Sequence, residues 1–355
     1  LSMAVDSTPS TPNDVVVVSI GNQDRSLSAD AVEILPPPDI TPPVLALDDE
    51  MLLGGIANGL SDGTANGDPD PLSSPSIDAS YAVTGILPHD GAVGSDTTLL
   101  TSASSTDPSL TFSLSLDKLA IDIYQAGNGA DPVITLALSD ALGGAYTLTQ
   151  WKPLIHPSLD GQAGDNQENE IPITIAYTVT YTSLGGSTQV VPISILVDDD
   201  TPTVSVNELV QLDDDALMGG NPGGIGDVEP NTANLSGTLG HSFGADGAGT
   251  VAYLTSGAPS DFSYVIDSDG TSLLIKQGAT TVLRLTVDAT SGGYTVSQEN
   301  PIQHVAGLDE NNQGFTVNYL VTDKDGDTVE GSLTIDVDDD TPTVSVNELV
   351  QLDDD

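Results

Sequence analysis

Cysteine is absent from this chain of 355 residues, which excludes disulfides and thiolate metal sites as the means of holding it together. Basic residues are nearly absent too: six Lys and Arg stand against 53 acidic residues, for a formal net charge of −47. Such a chain is a poor partner for nucleic acid or an anionic membrane surface, since both are bound through cationic side chains. No run of 18 apolar residues occurs, so no membrane-spanning helix is expected. The first residues lack a basic stretch followed by an apolar one, so no cleavable signal peptide is expected. Histidine is confined to positions 89, 156, 241 and 304. These are too few and too far apart in sequence for a zinc reading, although folding can bring distant residues together. His156 and His304 occupy equivalent repeat positions and are read as closing a loop or filling a pocket. G-x-S-x-G, P-loop and H-E-x-x-H motifs are missing. Spaced Asp pairs of the glycosidase kind are unavoidable by chance in so acidic a chain, so no enzyme is expected.

What is abundant is aspartate, 43 residues against ten Glu. Asp is favoured where a short side chain must hold a turn or a metal within a tight loop. Self-repulsion at this charge opposes a compact state unless counter-ions relieve it. The chain is nevertheless not a disordered acidic tail. Hydrophobic residues make up 38%, many in short alternating runs able to bury a core.

The unit of organisation is a tandem repeat. VDDDTPTVSVNELVQLDDD occupies residues 197–215 and recurs unchanged at 337–355, 140 residues later. LALDDEMLLGG (45–55) parallels VQLDDDALMGG (210–220), and YTLTQWKPLIH (146–156) parallels YTVSQENPIQH (294–304). Residues 1–40 read as a lead-in strand (DVVVVSI, 14–20) and a stiff Pro-rich linker. Residues 41–200 read as a diverged module, 201–340 as a second module, and 341–355 as the start of a third, so the chain reads as part of a longer array. Within each module the period is two. SLTIDV places Leu333, Ile335 and Val337 on one face, and turn signals separate runs of this kind. Seven or more short strands per module and no helix predict an all-β fold of tandem antiparallel, immunoglobulin-like sandwiches joined by Asp-rich linkers.

Calcium takes six to eight hard oxygens at about 2.3–2.6 Å, and three clusters are candidates to supply them. The first is the hinge Asp198, Asp199 and Asp200 with its copy Asp338, Asp339 and Asp340. There the following Thr-Pro holds the backbone extended, and three adjacent like charges beside a buried strand are costly without a cation. The second is Glu208 with Asp213, Asp214 and Asp215, repeated at the chain end, with Asp48, Asp49 and Glu50 as the counterpart in the diverged module. The third is the turn Asp323, Asp325 and Asp327, for which a cation site and a plain hairpin turn are both open. It is not an EF-hand loop, because its Gly is fourth rather than sixth. The first module has TSLGGS (182–187) in its place. GGIGD (223–227) falls one residue short of a calcium nonapeptide and reads as a loop, and the Asp267–Asp269 turn reads as structural. The lone Trp151 reads as a core or junction residue, with a surface ligand site as the alternative.

LDDDALMGGNPGG (212–224), LSGTLGHSFGADGAG (235–249), VTDKDGDTVEGSLTIDVDDDTP (321–342) and the period near 140 together resemble the repeat of giant bacterial RTX adhesins exported by type I secretion. The likeness runs along residues 201–340 but touches 41–200 only at start, middle and end. It implies extracellular, calcium-rigidified sandwich modules at the bacterial surface, acting in adhesion and biofilm formation as spacers between an outer-membrane anchor and distal ligand-binding domains. On this resemblance Asp198–Asp200 and Asp338–Asp340 correspond to linker calcium ligands and Asp323, Asp325 and Asp327 to an in-domain acidic turn. The expected partners are neighbouring repeats of the same chain, with any glycan or surface ligand held by other domains. The rival expectation is a calcium-dependent ligand-binding module, built around Trp151 and the loop at 61–80.

Overall fold

Alternation of apolar and polar side chains builds two β-sandwiches in the computed structural model of the chain. It describes residues 39–56, 79–88, 96–156, 170–184, 186–221, 223–224, 226–227, 229–307, 310–344 and 347. The lead-in strand expected at 14–20, most of the 61–80 loop, Glu348 and the final Asp triplet lie outside the described residues. The first module comprises β1 (Val44–Asp48), β2 (Tyr81–Ile86), β3 (Thr97–Ser105), β4 (Leu110–Leu114), β5 (Ala120–Gln125), β6 (Ile134–Leu138), β7 (Ala145–Gln150), β8 (Ile171–Tyr181) and β9 (Ser187–Asp198). They form sheets of order β1-β9-β8-β3 and β2-β7-β6-β5-β4.

The second module comprises β10 (Thr203–Val204), β11 (Val210–Asp213), β12 (Ser236–Thr238), β13 (His241–Ser242), β14 (Ala248–Tyr253), β15 (Phe262–Ile266), β16 (Ser272–Gln277), β17 (Thr280–Val287), β18 (Gly293–Gln298), β19 (Gln313–Asp323) and β20 (Thr328–Asp338). Its sheets, β11-β20-β19-β14 and β12-β18-β17-β16-β15, reproduce the first module, and β10-β13 adds a two-stranded ribbon.

The period-two pattern decides which faces meet. In β8, IPITIAYTVTY buries Ile171, Ile173, Ile175, Tyr177, Val179 and Tyr181, while Pro172, Thr174, Ala176, Thr178 and Thr180 face outward or remain part-covered. Each fully buried aliphatic or aromatic side chain contributes about 1.5–3 kcal/mol. A slip of one residue would exchange the whole set for a proline, an alanine and three threonines, so the register is strongly specified. The inner faces of both sheets meet in one core per module: one includes Leu47, Leu136, Leu148, Ile173, Tyr177 and Ile195, the other Leu212, Ile275, Leu285, Phe315, Tyr319 and Ile335.

Two features of the chain path matter for the site. The copied stretch TPTVSVNELV is not one strand. Asn207 interrupts it: its amide donates to Tyr319 Oη (3.0 Å) and the Ser332 carbonyl (2.9 Å), and its Oδ1 accepts from Gly240 N (2.7 Å). Beyond this anchor the chain enters β11, and β11 runs parallel to β20, with Asp213 opposite Asp338. The first module does the same, β1 running parallel to β9 with Asp48 opposite Asp198. An otherwise antiparallel sandwich thus carries one parallel edge pair per module, and that pair aligns two acidic triplets side by side at one end.

Candidate metal centres at the module ends

Each triplet that follows the parallel edge strand divides its labour. Asp48 Oδ1 accepts from Glu50 N (2.8 Å), and Asp213 Oδ1 accepts from Asp215 N (2.7 Å), so the first acid starts a short 3-10 turn, Asp49–Met51 or Asp214–Ala216. The second acid is gripped by the segment after β7 or β18. Asp49 accepts from Gln150 Nε2 and, at 2.7 Å, from Leu154 N. Asp214 accepts from Gln298 Nε2 and, at 3.0 Å, from Ile302 N. The shared spacing Q-x-x-P-x-x-H (150–156 and 298–304) is what presents these donors, and it sets a histidine against each cluster.

Opposite, Asp199 Oδ1 accepts from Asp200 N (2.9 Å). Asp200 bridges the modules: it accepts from Ile56 N of the first (3.2 Å) and from Ala245 N of the second. Gly244, at φ +76°, is needed for this approach, because a Cβ there would stand 2.6 Å from Asp200 Oδ2. The second module delivers its own acids to the same place. The hairpin β19–β20 pairs Thr322 with Thr328, which puts its acidic turn at the near end of the module, and Ala248 pairs with Asp323, which brings Asp246 alongside. Asp325 Oδ2 accepts from His156 N of the first module at 2.9 Å. Donor oxygens of Asp199, Asp246 and Asp325 lie within 4.8 Å of one another. The turn at 323–327 is a hairpin turn and more: Asp323 Oδ1 accepts from Gly326 N (2.9 Å) and Asp327 N (2.8 Å), while its Oδ2 points elsewhere.

The joint thus collects Asp48, Asp49, Glu50, Asp199, Asp200, Asp246, Asp323 and Asp327, all buried, with Asp198 and Asp325 part-buried. Asp199 Oδ2, Asp323 Oδ2, Asp325 Oδ1 and both oxygens of Asp246 are buried with no hydrogen-bond donor. Two carboxylates about 4 Å apart repel by roughly 4 kcal/mol at the effective dielectric of a protein. Burial raises Asp49 and Asp246 well above the carboxylate range, with neighbouring Asp199 adding to both, and pushes Asp200 to about 8 and Asp323 to about 9. His156 moves against its own burial, up to about 10, because Asp199 and Asp49 face it. Hard oxygens without donors, gathered from several backbone segments, are the donor set that calcium takes.

At the far end of the second module Asp213, Asp214 and Asp215 stand beside Asp338, Asp339 and Asp340. Asp227 and Glu310 join them: Asp213, Asp215 and Asp227, and again Asp227, Glu310 and Asp338, bring donor oxygens within 4.8 Å. Gly224 leaves room for this, since a Cβ there would meet Glu310 Oε1. Asn221 donates to Asp340 through N (3.3 Å) and Nδ2 (3.1 Å), as Ile56 does to Asp200.

Glu208 does not join Asp213–Asp215. It is exposed in the segment between Asn207 and β11, where Asn207 turns the chain and leaves the neighbouring side chain to solvent. Trp151 is neither core nor junction. It is 48% exposed on the sheet surface, with Nε1 donating to Thr135 Oγ1 at 3.1 Å. Asp267 pairs with Arg284 (2.7 Å) and Asp269 caps Ser272, so that turn is structural. The described residues of GGIGD (Gly223, Gly224, Gly226 and Asp227) lie outside strands, and Asp227 joins the cluster. At the near end of the first module, Thr182–Leu184 is a 3-10 turn in place of the acidic one, and Asp96 Oδ1 accepts from Thr182 N (2.8 Å). Sequence reasoning missed Asp227, Asp246 and Glu310, which are single acids in loops, and the histidines, for which Q-x-x-P-x-x-H was the available signal.

The model of a family described as a domain of unknown function, DUF5801, matches residues 194–338. No curated protein matches the chain. Solved structures similar to it include mouse PcdhgC3 EC1-3 (11% identity, 83% of this chain and 65% of that one, TM-score 0.24) and Drosophila N-cadherin EC1-4 (11%, 84% and 48%, 0.23). A mutant of the CFA/I adhesin CfaE of enterotoxigenic E. coli is also similar (11%, 86% and 100%, 0.24). The chain spans less than two thirds of the two cadherin chains, and no conclusion about function follows from likeness at this level.

Proposed function

We propose that the chain is a spacer segment of a large bacterial cell-surface adhesin, with calcium stiffening the joint between its sandwich modules. One observation carries this reading: Asp199 and Asp325 come from different modules, their oxygens converge with those of Asp246, and none of the free ones has a donor. Bound calcium would supply positive charge to this cluster. Asp199 and Asp200 would hold it from the first module and Asp246, Asp323 and Asp325 from the second. The same acids, repelling one another where calcium is scarce, would keep the chain extended during export. The spacer role asks for no catalytic step. Extracellular calcium sites have dissociation constants of roughly 10⁻⁴–10⁻³ M, so several millimolar calcium yields roughly 1–3 kcal/mol per site, which is substantial against a net stability of about 5–15 kcal/mol. Solution scattering and thermal unfolding of the whole chain, with calcium and with chelator, provide the test. Calcium should narrow the spread of particle dimensions and raise Tm; equal dimensions and equal Tm in both buffers would remove the mechanism.

The half-exposed Trp151 on an open sheet face keeps a second reading alive, a ligand-binding module. Glycan-array binding abolished by Trp151→Ala would favour it, and silence across broad arrays would dismiss it.

A further inference from the structure

The carboxylate cluster at the joint adjoins a second and chemically different constellation, because each module end includes a buried imidazole. His156 is 4% exposed. Its Nε2 lies 3.2 Å from the Val197 carbonyl, which accepts only, so Nε2 carries a proton. Nδ1 faces Asp199 Oδ1 at 3.0 Å and Asp49 Oδ2 at 3.6 Å; in the metal-free chain it pairs with these acids through a proton that a bound metal ion would displace. Two ligand atoms held about 2.1 Å from one metal ion, at angles between about 90° and 120°, lie roughly 3.0–3.6 Å apart. The three groups are also fixed from behind. Val197 O orients the ring, Leu154 N and Gln150 Nε2 hold Asp49, and Asp200 N holds Asp199. Outer contacts of this kind orient the ligands of metal sites.

The same constellation recurs in the second module, although the two modules have diverged. Asp214, held by Gln298 and Ile302, faces Nε2 of His304 at 3.6 Å, and Asp339, held by Asp340 N, completes the group. The His304 side chain is 2% exposed and lies among these acids. Two of only four histidines in the chain are spent in this way.

We propose that Asp49, His156 and Asp199, and in the second module Asp214, His304 and Asp339, form divalent transition-metal sites of mixed nitrogen and oxygen donors, suited to zinc, cobalt or manganese. Imidazole selects such ions over calcium, which takes oxygen. Asp199 would serve both kinds of site, Oδ1 toward the histidine and Oδ2 toward Asp246 and Asp325. The inference deepens the reading of the joint as a cation centre and rests on it in treating these acids as ligands.

The test is titration of the untagged full chain with Co²⁺ in several millimolar calcium, followed by visible absorption and competed with Zn²⁺. Two Co²⁺ per chain are expected. His156→Gln and His304→Gln should each weaken one site by at least about tenfold, and the double variant should lose both while keeping the calcium-dependent rise in Tm. Should a variant fail to fold, Cu²⁺-loaded wild type still decides the matter through the presence or absence of imidazole nitrogen coupling in its electron spin echo. Unaltered stoichiometry in the double variant, or an echo without nitrogen, overturns the proposal. A calcium response without Co²⁺ binding overturns this proposal alone, and histidine-dependent Co²⁺ binding without a calcium response overturns the calcium joint alone.

Discussion

VDDDTP closes both modules, yet the two copies live in different surroundings. Asp199 and Asp200 are 1% and 0% exposed, whereas Asp339 and Asp340 are only part-buried. The first pair is covered by the next module, which adds Asp246 and the turn at Asp323–Asp327. Among the described residues the second pair stands with acids of its own module, Asp213–Asp215, Asp227 and Glu310. Burial first pushes Asp213 at the far end to about 6, and at the joint Asp200 to about 8 and Asp323 to about 9. The joint thus draws its acids from two modules, whereas those described at the far end come from one.

The largest expected effect comes from making the same change in both copies. Asp200→Asn removes the carboxylate that ties Ile56 to Ala245 and should cost the calcium-loaded chain roughly 1–3 kcal/mol of linkage, a Tm drop of roughly 3–10 °C for units of this size. Asp340→Asn should shift Tm by less than about 2 °C, since Asp340 is part-buried and its described hydrogen bonds, from Asn221, stay within one module. In chelator the order should reverse, because a neutral side chain at position 200 relieves repulsion. Calorimetry of both variants in both buffers checks this, and equal losses in calcium would erase the distinction between joint and end.

Sequence alone exposed the strands, the module period and the triplets because these are local: alternation in β8 or β20 needs no knowledge of a partner. The meeting of Asp48–Glu50 with Asp198–Asp200 was not local. It depends on β1 lying parallel to β9, a pairing across 150 residues, and no turn residue signals it. Asp246 was hidden for the same reason, its place being set by the register of β14 on β19. Glu208 misled in the opposite direction, since closeness to Asp213 along the chain says nothing once Asn207 redirects the backbone. Trp151 misled through size, because a large side chain suggests a core and this one covers a sheet surface instead.

The pH dependence of the calcium-free chain sharpens the contrast further. Raised folded-state values mean that the folded joint holds protons which the unfolded chain, titrating near 3.8, releases. The stabilisation is fully present below that value, shrinks as pH rises, and is gone above about 8 for Asp200 and about 9 for Asp323. His156, raised to about 10, acts in the same sense. In chelator, Tm should therefore fall between pH 5 and pH 9. Calcium should flatten that slope by taking the place of the protons. A chelated chain more stable at pH 9 than at pH 5 would contradict the buried, uncompensated joint.

The smallest effect separates joint geometry from backbone strain. Gly244 and Gly247 both sit in the left-handed region, at φ +76° and +89°. A Cβ at 244 would meet Asp200 Oδ2 at 2.6 Å, whereas one at 247 would meet nothing within 4 Å. Ala at either position therefore incurs the same conformational cost, about 1 kcal/mol. Only Gly244→Ala must also push the Asp200 carboxylate out of its bridge. Gly247→Ala should lower Tm by a few degrees in both calcium and chelator. Gly244→Ala should lower it further in calcium alone and lengthen the calcium titration. Identical behaviour of the two variants would mean that Asp200 reaches across to the second module without needing the space that glycine leaves.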